Sequence, residues 1–92
     1  MKDKIVNEDD AGGQLAGDAI VEAVENQLAQ DEPPETKITL ERLIALGETR
    51  ENAIRYIASV LSVEIFETLK NKTPYNEQRY ISNLKKLPKL PY

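Results

Sequence analysis

The chain has 92 residues, 40% of them hydrophobic and 30% charged, which is enough for one small domain and too little for two. It contains no Cys, His or Trp, which excludes disulfides, Cys/His zinc sites, c-type haem attachment and histidine acid–base catalysis. The net charge of −4 is unevenly spread: residues 1–36 carry ten acids and two lysines, residues 37–92 six acids and ten bases. An acidic leading part therefore precedes a mildly basic helical surface.

Residues 1–14 read as a disordered acidic tail. Asn7-Glu8-Asp9-Asp10 is polar and charged, Ala11-Gly12-Gly13 is permissive, and nothing there offsets the entropy of ordering. The alternating oxygen ligands of a calcium loop are missing around Asp9 and Asp10. The same stretch lacks the apolar centre of a signal peptide, and no apolar run approaches the ~20 residues of a membrane span. The expectation is a soluble cytoplasmic protein with no membrane partner.

The first helix is expected from Leu15 to Gln30, with Ile20, Val24 and Leu28 at four-residue steps and Ala16 and Ala23 beside them. Asp18 offers an alternative N-cap. Asp31-Glu32-Pro33-Pro34 stops the helix, because proline cannot continue it. A second helix begins at Pro34 or Glu35. Ile38, Leu40, Leu43, Ile44 and Leu46 supply its apolar face, and Gly47 stands where a left-handed cap belongs.

The third helix follows at once, with Thr49 as N-cap, Glu51 in its first turn and Lys70 and Lys72 near its end. Ala53, Ile54, Tyr56, Ile57, Ala58, Val60, Leu61, Val63, Ile65 and Leu69 cover more than half of its circumference. A helix so widely apolar is the central one of a small bundle. Thr73-Pro74-Tyr75-Asn76 then breaks the chain, and a fourth helix runs from Asn76 to Leu87. Asn76 caps it, Tyr75 and Tyr80 stand at the positions of a hydrophobic staple, and Pro88 stops it. The ending KLPKLPY has proline at PxxP spacing and reads as a frayed end with solubilising lysines rather than a polyproline ligand.

With no strand pattern and only short connections, the fold class is all-α, a bundle of three to four helices. The organisation is a tail over residues 1–14, a helical domain over 15–87 and an extended Pro-rich end over 88–92.

Two polar side chains interrupt this pattern. Glu64 lies between Ala53 and Ile57 on the wheel of the third helix, inside its apolar arc. Gln27 falls between Ala16/Ala23 and Ile20 on the first. An enclosed carboxylate needs a partner, and the candidates are Gln27, Asn26, Arg42, Arg55, a backbone donor or a subunit seam. A lone carboxylate without His, Cys or a second inward acid is a poor catalyst, and the Glu-x-x-His pairs of di-metal bundles are missing. Glu64 and Gln27 are thus expected to be structural, and no residue is assigned as catalytic, cofactor-binding or metal-ligating.

The segment LIALGETRENAIRYIASVL, residues 43–61, is a helix–glycine turn–helix unit. It resembles ubiquitin-associated domains, although Leu46-Gly47-Glu48 stands where those domains carry apolar contact residues. It is also similar to a DNA-reading helix-turn-helix, with Arg50, Asn52 and Arg55 offered to the duplex, but Glu48 and Glu51 on the same unit, and Glu64 and Glu67 further along the third helix, oppose phosphate binding.

Over most of residues 18–88, VENQLAQDEPPET, LERLIALGETRENAIRYIASVLSVEIFE and PYNEQRYISNLKKLP resemble a family of small bacterial helical proteins of unassigned function. That family shares a "VEnQ…PPE" segment and an "L..G..r.eAi..I.SVL..EI" helix. Its relatives often carry histidines where this chain has Glu51 and Arg55, so a metal role does not transfer. The resemblance implies a helical fold with Gln27 and Glu64 in shared segments.

The functional expectation is a non-enzymatic structural or protein-interaction module of a bacterial cytoplasmic protein, with an unknown protein partner or a homodimer and no cofactor. The alternatives are a carboxylate-dependent metal-binding or enzymatic activity centred on Glu64 and, behind it, helix-turn-helix nucleic-acid binding.

Overall fold

The computed structural model describes residues 17–92. The acidic segment over 1–14 and the expected helix start at Leu15 lie outside the described residues. Among those described, the chain forms four helices and no strand: α1 over residues 17–30, α2 Pro34–Ala45, α3 Arg50–Asn71 and α4 Glu77–Lys86. No helix among them is long and apolar enough to cross a membrane.

Local sequence sets most of the boundaries. At the end of α1, Asp31 takes a left-handed conformation (φ 56°) and Glu32 N donates to Gln27 O at 3.0 Å. Asp31 N donates to Leu28 O, completing a Schellman closure. The same closure ends α2, where Gly47 (φ 110°) donates to Ile44 O and Glu48 N to Leu43 O. The positive φ explains the glycine, since a Cβ there is strained even with open space around it. Thr49 caps α3 by accepting from Asn52 N at 3.0 Å. Asn76 caps α4 by accepting from Arg79 N at 2.9 Å. Tyr75 and Tyr80 form the staple at its entry, with ring centroids 6.2 Å apart.

The core is centred on α3. Ala53, Ile54, Ile57, Ala58, Val60 and Leu61 are buried against Val24 of α1, Leu40 and Leu43 of α2, and Tyr80 and Leu84 of α4. Each fully enclosed Leu or Ile contributes roughly 1.5–3 kcal/mol of transfer free energy. Tyr80 and Leu84 of α4 and Leu87, which caps its end, form one inward stripe.

Three expectations need correction. The inner face of α2 is Thr36, Thr39, Leu40 and Leu43, whereas Ile38, Ile44 and Leu46 are exposed. Ile38 is two residues from Leu40 and so points roughly 200° away from it, while positions 36 and 39 fall on the inward stripe. On α3, Leu69 is expected inside the apolar arc but is 73% exposed, because it lies five residues, roughly 140° of helix, from the inward Glu64. The chain end is not frayed: Leu87 is buried and Leu90 packs against the core.

Candidate functional site

Glu64 is held on the inward side of α3 by the same wheel that buries Ile57 and Leu61, and it is fully enclosed. Its partner is Arg79, in the first turn of α4. Arg79 Nε donates to Glu64 Oε2 at 2.6 Å and an Nη donates to Oε1 at 3.1 Å, a two-point fork. Arg79 is about half exposed (side chain 48%), so one end of the pair is dry and the other wet. The hydrogen bonds to Glu64, and then its charge, raise the Arg79 pKa above the ordinary guanidinium value. Arg79 was not among the expected partners, and Glu64 and Gln27 do not meet.

Gln27 is instead the centre of a second cluster. Its Oε1 accepts from Thr36 Oγ1 and from the Tyr80 hydroxyl, both at 2.7 Å. The two hydroxyls lie 3.4 Å apart. One amide oxygen thereby ties α1 to α2 and α4. Burial raises the pKa of Tyr80, with the hydrogen bonds to Thr36 and Gln27 acting the other way. Burial raises that of its staple partner Tyr75 as well.

Two further polar links complete the arrangement. Arg42 of α2 donates to Leu87 O and, at 2.9 Å, to Leu84 O, which also accepts from Leu87 N, so the guanidinium clamps the end of α4. Arg50, opening α3, forms a fork with Glu25 of α1 at 3.0 Å on both sides. That bond lowers the Glu25 pKa and raises that of Arg50. All the buried side-chain polar atoms described have a partner.

These facts bear on chemistry. Both oxygens of Glu64 are engaged by Arg79 and the carboxylate is fully buried, so any proton transfer or metal binding there competes with the fork. No three carboxylates converge among the described residues. Arg50 and Arg55, the cations a DNA-reading helix would present, are engaged with Glu25 and Glu51.

Two of the accessible depressions adjoin on the surface around the second half of α3. One is an apolar furrow lined by Ile20 of α1, Ile65, Phe66 and Leu69 of α3, and Pro91 and Tyr92 of the chain end. Phe66 is 63% exposed. The other is a depression of about 860 Å³ between α3, α4 and the chain end, where Lys86, Lys89, Ser82 and Asn83 surround the Glu64–Arg79 fork. The two share Val63, Glu67, Pro91 and Tyr92 and so form one continuous surface.

The fold and these contacts define a small all-α bundle whose helices are joined by directional polar bonds, with an apolar strip on its longest helix left exposed among the described residues. Comparison with known proteins finds no matching family, no matching curated protein and no matching solved structure.

Sequence reasoning placed Glu64 and Gln27 inward but missed Arg79, Thr36 and Tyr80 as their partners. One signal was available for Arg79. A cation in the first turn of a helix opposes the macrodipole, which indicates that Arg79 serves a contact elsewhere.

Proposed function

We propose that the protein is a non-enzymatic interaction module that docks a segment of another protein on the furrow walled by α1 and α3. The observation that carries this reading is the pair Phe66 and Leu69, large apolar side chains left in water beside half-buried Ile65 and Ile20. Scattered exposed apolar residues need no explanation, but a contiguous apolar strip with a polar rim is the mark of a docking surface. The engaged Glu64 fork argues against carboxylate chemistry, and the engaged Arg50 and Arg55 argue against phosphate reading. A bacterial cytoplasmic setting remains part of this proposal, resting on the cysteine-free composition and the family resemblance.

The test places a photoreactive phenylalanine analogue at position 66 and, as a control, at exposed position 41 in the source cells. The expected result is a discrete heavier adduct from position 66 that is missing from position 41 and lost on Leu69→Asp. An adduct of twice the chain's own mass would replace the partner protein by a second copy. Absence of any adduct at position 66 would refute the docking reading.

A further inference from the structure

Resting on that docking reading, we infer that the occupant of the furrow is an acidic amphipathic helix. Three features of the surface specify it. The first is shape: Ile65, Phe66 and Leu69 stand at three- and four-residue spacing along one side of α3, facing Ile20 of α1 across the furrow. Two helix flanks at that spacing accept the ridge of a third helix. No strand edge exists among the described residues for an extended segment to join. The second is length. Ser62 to Leu69 spans roughly 10 Å of helix rise, so about two turns of partner are engaged.

The third is charge, and it selects the partner's sign. Residues 77–92 carry one acid, Glu77, against Arg79, Lys85, Lys86 and Lys89. Lys86 and Lys89 line the depression that continues the furrow past Pro91 and Tyr92. Arg79 is committed to Glu64, which leaves the two lysines to face an occupant. The opposing group is Glu67 on the shared wall, which keeps its charge while its Oε1 accepts from Asn71 Nδ2 at 2.7 Å, so the two lysines outnumber it across the joined surface. A helix seated on Phe66 and Leu69 with carboxylates along the flank above Lys86 and Lys89 meets both requirements. A basic helix meets only the first. Complementary charge of this kind sets specificity and approach more than affinity.

The experiment pans a random library of 16-residue peptides on the full chain, with counter-selection on the Phe66→Asp/Leu69→Asp variant, whose fold is checked by circular dichroism. Supporting results are enriched peptides with apolar residues at i, i+3/i+4 and i+7 and an excess of Asp and Glu. They should bind about tenfold more weakly to Lys86→Glu/Lys89→Glu, the scale of two screened charge pairs. Enrichment without acidic bias, or binding indifferent to the lysine reversal, overturns the inference and leaves the docking reading standing. No enrichment over the counter-selected variant overturns both. A synthetic peptide of residues 1–16 that binds the furrow as tightly as the selected peptides would make this chain's own acidic segment the occupant and also overturns the inference.

Discussion

The two ends of the Glu64–Arg79 fork sit in different environments, so deleting one should not cost what deleting the other costs. Arg79→Ala removes both donors from a carboxylate that is fully enclosed in the intact fork. Stranding a fully buried charge such as Glu64 costs about 3–5 kcal/mol. The described domain, at 0.05–0.15 kcal/mol per residue, has a total stability of roughly 4–11 kcal/mol, so this variant should lose a large share of it. Glu64→Leu is the opposite case. It fills the site with apolar volume and leaves a half-exposed guanidinium free to turn into solvent, and such replacements of buried pairs are often neutral or stabilising. The double variant Arg79→Ala/Glu64→Leu should therefore recover most of what Arg79→Ala loses. Urea denaturation followed by far-ultraviolet circular dichroism, with the slope checked for constancy, reads all three midpoints. Equal losses in both single variants, or a double variant as unstable as Arg79→Ala, would refute the argument and mean that the fork is held for its attraction alone.

The Gln27 cluster predicts coupling: Gln27→Leu and Tyr80→Phe should each cost about 1–3 kcal/mol, and a double-mutant cycle should return about 1 kcal/mol of interaction. Tyr80 also predicts an alkaline limit. Its folded-state pKa is raised above the unfolded value near 10, so its contribution is fully present below pH ~10 and lost as pH rises through the folded value. Tyr80→Phe should flatten the fall in urea midpoint above pH ~10, and an unchanged slope would count against the buried hydroxyl. Arg42→Met keeps the aliphatic stem but removes the donors to Leu84 and Leu87, at a cost of about 1.5–3 kcal/mol. Hydrogen exchange should quicken at the end of α4 ahead of α3, and uniform acceleration would contradict a local clamp.

What could be read from the sequence was what is determined within a few residues. Thr49, Asn76, Gly47 and the Tyr75–Tyr80 staple act through neighbours three or four positions away, and each occupies its expected place. The inward aim of Glu64 follows from the wheel of one helix. Its partner does not, because the register of α3 on α4 is fixed by how Tyr80, Leu84 and Leu87 pack, and no local pattern encodes that offset. The face of α2 was misread for a related reason. Thr36 belongs inside only because Gln27 and Tyr80 are there to receive its hydroxyl, a fact that exists only after three helices have met. Hydrophobicity alone favoured Ile38, which points outward.

The polar links also make a closed loop. Glu25–Arg50 joins α1 to α3, Glu64–Arg79 joins α3 to α4, Arg42 joins α4 to α2, and Thr36–Gln27 joins α2 back to α1. Apolar side chains tolerate a helix sliding or rotating by a fraction of a turn, since greasy surfaces match in many phases. A circuit of directional bonds has one phase in which every member closes. Opening any single bond should therefore free a rigid-body degree of motion before it unfolds anything, visible as exchange-broadened amide resonances along the two helices that the lost bond had joined.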